Sequence, residues 1–254
     1  MRKITVLVTI MILVLVSCKK EEKQPANNNT NTGGGGGGGT YLVPSNATAF
    51  SGIFTTGNYV GSTIVGTTTY TFNSIMARAY FSSSPQSYIN SGTAVTVNKV
   101  YLNGDSLSYS TSSQYYNSSG TVNIASETWS VNGANGIGTF SMTHNITTPS
   151  ASGYLNFPDS ISISTGFSVS INNVANAKVA NLLLSDGVGG FHVKTLQTGS
   201  NSVTVTPSNL SSLSTSTVGY IALLLSNSKA YVFSNKDYEF NREYQYTKSI
   251  KIKP

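Results

Sequence analysis

Acid–base chemistry needs carboxylates or imidazoles set across a reacting bond, and this chain holds few of either. From Tyr41 onward its acids are Asp105, Glu127, Asp159, Asp186, Asp237, Glu239 and Glu243, and its two histidines, His144 and His192, lie far apart. Asp105 follows Asn103-Gly104 and Asp186 precedes Gly187, so both read as turn residues. Glu127 stands two residues before Trp129, on the same face of any strand there. It is the one acid in a setting that invites a role, and its plainer reading is an exposed strand carboxylate. Serines are many, but none sits in a Gly-x-Ser-x-Gly elbow. Zinc wants clustered His and Cys, and the only cysteine, Cys18, is at the far N-terminal end. The stretch SDGVGG, Ser185 to Gly190, has the composition of an acidic calcium loop; an Asp-Gly turn between VANLLL and FHVKTL accounts for the same residues. The chain is therefore expected not to be an enzyme, and to use no metal or cofactor.

Binding is better supplied. There are fifteen Tyr, ten Phe and one Trp, and aromatic faces stack on sugars. Most of these side chains suit a strand-rich core. Tyr115 and Tyr116 differ, because SSQYYNSSG is polar on both sides of them. A strand through adjacent tyrosines exposes at least one on this reading. They are the candidate ligand-contact residues, joined by Trp129 in ETWSVNG, which reads as core before it reads as a platform.

The elements that must position such residues repeat with period two. In TAVTVNKVYLNGDSLSY, Val95 and Val97, then Val100 and Leu102, alternate up to a turn signal at Asn103-Gly104. In SISISTGFSVSI, Ile161 and Ile163 precede a break at Gly166, and Phe167, Val169 and Ile171 follow it. Val203 and Val205 alternate, GYIALLLSN reads as a more buried strand, and Ser208 to Leu213 holds a single capped turn at best. The C-terminal stretch places Tyr238, Phe240, Tyr244, Tyr246, Ile250 and Ile252 on one parity. Glu239, Asn241, Glu243, Gln245 and Thr247 fall on the other, which predicts that they face solvent, with a bend near Asn241. Arg242 and Lys248 break the apolar parity and are expected where strands end or change sheet.

Turn signals at this spacing suggest an all-β fold of sandwiches. PSASGYLNFP, Pro149 to Pro158, marks a composition shift. The expected division is a β-sandwich domain over 45–157 and a second over 158–254, of immunoglobulin or fibronectin size but without the Cys…Trp…Cys signature. One larger sandwich is the alternative.

Ahead of the body, Arg2 and Lys3 precede an apolar run, Ile4 to Val16, broken by Thr5 and Thr9. That run is short for a membrane span of about 20 residues, and with its basic start it reads as a secretory signal over 1–17. Leu15-Val16-Ser17-Cys18 resembles the lipobox of bacterial lipoproteins. The resemblance implies cleavage before Cys18 and diacylation of its thiol. A plain signal peptide with an incidental cysteine is the alternative. Lys19-Lys20-Glu21-Glu22-Lys23 resembles the charged export signal that follows the lipid cysteine in Bacteroidota-type surface lipoproteins. That implies an outer-membrane, cell-surface address; a charge run that keeps the chain off the lipid is the alternative. Gln24 to Thr40 carries an Asn/Thr run and seven glycines, Gly33 to Gly39, so 18–40 is read as the lipidated N-terminus and a flexible linker.

Removing Arg2 and Lys3 lowers the formal net charge from +6 to +4. So mild and unclustered an excess gives no case for nucleic acid. Asp105-Ser106-Leu107 and Asp159-Ser160-Ile161 resemble the Asp-Ser/Thr-apolar O-glycosylation signal of exported Bacteroidota-type proteins, which would make Ser106 and Ser160 acceptors. The expectation is a lipid-anchored surface protein whose β-body binds polysaccharide, or else a structural or adhesive protein that binds other surface proteins.

Overall fold

The computed structural model describes residues 43–44, 49–65, 68–86, 91–152, 156–196 and 202–254. The signal segment 1–17, Cys18 and the linker 18–40 lie outside the described residues.

The fold is all-β. Among the described residues its main sheet has thirteen strands. Four long strands form the spine: β2 (Phe50–Val65), β3 (Thr68–Gln86), β16 (Ser216–Phe233) and β17 (Lys236–Lys253). β2 and β3 are an antiparallel pair, as are β16 and β17, and β17 lies parallel to β2. At about 3.3 Å per residue the eighteen residues of β17 span about 60 Å.

Beyond β3 the ladder continues through β6 (Tyr115–Asn117), β5 (Asp105–Ser110), β4 (Lys99–Leu102), β7 (Glu127–Asn132) and β8 (Phe140–His144). It curls over the spine and encloses a first core, in which Phe54 stacks on Phe240 at 4.6 Å and meets Trp129 edge-on at 5.0 Å. The turn foreseen at Asn103-Gly104 joins β4 to β5. Both residues take positive φ, 53° and 91°, as a two-residue hairpin of this hand requires.

On the other side of the spine, β16 pairs with β13 (Val179–Ser185), and β13 pairs with β14 (Phe191–Thr195). A second core gathers Leu182, Leu184, Leu223, Leu225 and Ile250. It is closed by β11 (Phe167–Ser170), its partner β15 (Ser202–Val205) and a 3₁₀ turn at Pro207–Leu210. β10 (Ser160–Ser162) adds to the end of β17 in parallel, β1 (Val43–Pro44) pairs with β16, and β9 (Ser150–Ser152) pairs with β12 (Asn172–Ala175) in a separate two-stranded ladder.

Two expectations change. The division at 157/158 does not separate two sheets. Phe233, Tyr238 and Phe240 belong to the first core, while Leu223, Leu225 and Ile250 of the same two strands belong to the second. The second core is built wholly from residues between Phe157 and Ile252, as a C-terminal sandwich would be, while the first core also takes in Phe233, Tyr238 and Phe240 from β16 and β17. At Asn241 the strand also continues without a break, in register with Ser228 on one side and Thr55 on the other. Arg242 and Lys248 lie inside this unbroken strand.

Candidate functional site

The residues first expected to meet a ligand are buried. Tyr115 and Tyr116 are 8 % and 5 % exposed, and Trp129 is wholly covered. The reason lies in topology. β6 is paired with β3 and β5, and its two tyrosines pack on opposite faces: Tyr116 into the first core against Phe81 and Tyr109, Tyr115 against Tyr80 and Arg78. The polar residues before it, Ser112 to Gln114, form a turn in which Gln114 has φ 60°. Tyr116 donates its hydroxyl hydrogen to the Val97 carbonyl at 2.6 Å and accepts from the Val97 N–H at 2.7 Å. Tyr115 packs against Tyr80, with the Arg78 guanidinium 5.6 Å from its ring. The exposure expected of this pair is corrected.

Glu127 is also corrected, from exposed to fully buried. Its Oε1 accepts from the Thr56 hydroxyl at 2.6 Å and lies 2.8 Å from Arg242 Nε. Its Oε2 lies 3.0 Å from His144 Nε2. Arg242 further donates to Thr148 Oγ1 at 2.8 Å and to the Ile124 carbonyl. The cluster joins β2, β7, β8 and β17. With side-chain exposures of 0 % and 1 %, Glu127 and His144 are out of reach of any substrate, so this acid ties strands together.

Glu239 and Glu243, expected in solvent, are buried and half-buried. Glu243 lies 3.2 Å from Arg78 Nη2 and accepts from the Tyr59 hydroxyl at 3.0 Å. Burial, reinforced by Glu243, pushes the Tyr59 phenol well above its ordinary range.

SDGVGG is a turn whose carboxylate is spent on the backbone. Asp186 Oδ1 accepts from the N–H groups of Val188, Gly189 and Gly190 at 2.9, 3.1 and 2.9 Å, and Oδ2 accepts from Ser214 N–H at 3.0 Å. Burial alone would raise its pKa; the four N–H donors outweigh that and hold it below the usual carboxylate range. Of the candidate glycosylation serines, Ser106 is exposed on β5, while Ser160 is half-buried in the ladder between β10 and β17. Asp159, beside it, is exposed and pairs with Lys248 Nζ at 2.8 Å.

Among the described residues, a cleft of about 460 Å³ opens to solvent over the seam of β3, β2 and β17. It is lined by Val60, Gly61, Ser62, Thr71, Phe72, Asn73 and Tyr246. Register explains the set. Tyr246 lies beside Val60 and Val60 beside Asn73, while Ser62 lies beside Thr71 in the next row. Directly paired residues share a face of the sheet, so Tyr246, Val60, Asn73, Ser62 and Thr71 share one face, while Gly61 and Phe72 are paired with the opposite parity. The Tyr246 ring packs against buried Phe157 at 5.7 Å and stands as the wall between the cleft and the second core.

Gly61 sets the floor. A Cβ there would lie 2.0 Å from the Thr247 carbonyl oxygen, so only glycine lets β2 approach β17 this closely. None of these residues stands out in sequence. Tyr246 falls on the apolar parity of β17, and the other strands meet it from about 180 residues away. Among the described residues, no three of His, Cys, Asp and Glu gather as a metal-ligand set. No family model, curated protein or solved structure matches the chain.

Proposed function

We propose that the chain is a lipid-anchored outer-membrane protein whose β-body, held at the cell surface, captures polysaccharide in the cleft beside Tyr246. The observation that carries the binding role is the cleft itself. Its volume falls in the roughly 300–1,000 Å³ range of small-ligand sites. Its lining is an aromatic face with hydroxyl and amide groups, which both donate and accept as sugar hydroxyls do. The anchor rests on the sequence LVSC at Leu15–Cys18 and the charged run after it. Two or three acyl chains hold far more firmly than one. The role is binding and not catalysis, since the acids in the best-formed clusters are consumed by structural partners. The accessible Ser106 is the better acceptor for the proposed glycosylation.

Retention of the detergent-solubilised, lipidated protein on immobilised polysaccharides tests this reading. Wild type is retained on at least one, and Tyr246→Leu, which keeps apolar contact with Phe157 but removes the aromatic face, is not. Retention unaltered by Tyr246→Leu would place the site elsewhere.

A second reading, contact with other surface proteins, has its own observation. Phe191, Val193, Val188 and Val218 are 62, 41, 73 and 57 % exposed around the edge strand β14. Against it, β14 is only five residues long and carries Lys194, features that discourage edge pairing. Cross-linking on intact cells, with Phe191→Ser/Val193→Thr as the comparison, separates the two.

A further inference from the structure

We propose that the cleft selects uncharged sugar chains over acidic ones; this rests on the polysaccharide reading above and narrows it to a ligand class. No lining residue carries a formal charge at neutral pH: the polar groups are Ser62, Thr71 and Asn73, and the aromatic wall is Tyr246. A uronate or sulfate chain needs cations that can reach its anions, and guanidinium forks serve best. Both arginines of the body are already committed. Arg78 lies 3.2 Å from Glu243 and Arg242 lies 2.8 Å from Glu127, each largely buried.

Lys248 lies beside Ser62 in the ladder, in the row of the lining residues Ser62 and Thr71 and on the same face as Tyr246, but it is already engaged. Its Nζ lies 2.8 Å from Asp159 Oδ1 and donates to the Phe157 carbonyl. Lys251 and Lys253 are exposed, but they have the opposite parity to Tyr246 on β17 and so face the other side of the sheet. An anion entering the cleft would meet no charged lining residue and would have to draw Lys248 away from Asp159 and the Phe157 carbonyl. A neutral pyranose instead meets matched partners. Its C–H face lies on the Tyr246 ring, whose π-cloud is negative. Its hydroxyls meet the Asn73 amide and the Ser62 and Thr71 hydroxyls, each able to donate and accept. The mild positive charge of the whole chain bears on how acidic polymers drift toward the protein, not on what the cleft holds.

Affinity electrophoresis of the full, lipidated chain in mild detergent tests this. The gels contain galactomannan, mixed-linkage glucan, polygalacturonate or alginate, each at low salt and with 0.5 M NaCl. The expected result is retardation in at least one neutral gel, unchanged by salt, and at least tenfold weaker for Tyr246→Leu. Asn73→Ala, at an exposed position outside both cores, provides a second variant that should weaken retardation severalfold. Retardation confined to the acidic gels and abolished by salt overturns the neutral assignment while leaving a glycan role standing. Unaltered migration in every gel overturns the polysaccharide reading itself.

Discussion

Arg242 and Glu243 are consecutive residues whose charges are neutralised on opposite faces of one sheet. Arg242 meets Glu127 at 2.8 Å beneath the β7–β8 layer, and Glu243 meets Arg78 at 3.2 Å on the other side. Alternation along a strand makes this arrangement geometrically simple. Its consequence is that the middle of β17 is fastened from both sides, at the point where the strand passes from the first core to the second. The cleft lies further along the same strand, at Tyr246.

Breaking one partner of the buried pair should be costly. Glu127→Gln or Arg242→Ala leaves an uncompensated charge among buried groups, a change worth about 3–5 kcal/mol. Chemical denaturation followed by the fluorescence of buried Trp129, two residues from Glu127, measures it. A loss below about 1 kcal/mol would mean that the cluster is not the tie described here.

The Asp186 turn predicts a pH dependence with a definite sign. Its carboxyl is held below the usual range in the folded state. Its stabilising contribution is therefore complete above the unfolded carboxylate value of about 3.9 and is lost as pH falls through the lower folded value. Thermal melts from pH 6 down to pH 2 should show this loss in wild type. The part of it due to this group should be missing from Asp186→Asn, which should also be less stable at pH 6 by about 2 kcal/mol. Parallel curves for the two proteins would contradict the assignment.

Gly61→Ala should separate β2 from β17. The new methyl has to displace the Thr247 backbone, and overpacking of this kind costs about 1–3 kcal/mol. Hydrogen exchange should show the amides that pair Tyr59–Ser62 with Gln245–Lys248 losing protection before those of β13. Unchanged protection along that seam would count against the close approach.

Lipidation at Cys18 predicts phase behaviour. Wild type made in an exporting host should enter the detergent phase on Triton X-114 separation, and Cys18→Ala should stay in the aqueous phase. Equal partitioning would leave the body without its proposed anchor.

Local features were legible in the residues. The hairpin at Asn103-Gly104 and the capped turn near Ser208 follow from side-chain preferences that act over a few residues. The break at Gly166, where φ is 68°, belongs with them. The charge clusters were not legible. Glu239, Asn241, Glu243, Gln245 and Thr247 have the look of a solvent face. They are instead covered or half-covered, and the partners of Glu243, Arg78 and Tyr59, come from distant sequence. Tyr115 and Tyr116 misled for the same reason, since polar neighbours in sequence became a turn and not a setting in space. The cleft depends on the parallel register of β17 on β2, which no local pattern encodes.

Saturation-transfer NMR with a neutral oligosaccharide addresses the central claim most directly. Irradiating the aromatic protons of the protein should transfer magnetisation to the ring C–H protons of the sugar, and Tyr246→Leu should abolish the transfer while Trp129 fluorescence confirms the fold. Transfer of equal strength in both proteins would contradict the claim that Tyr246 forms the binding face.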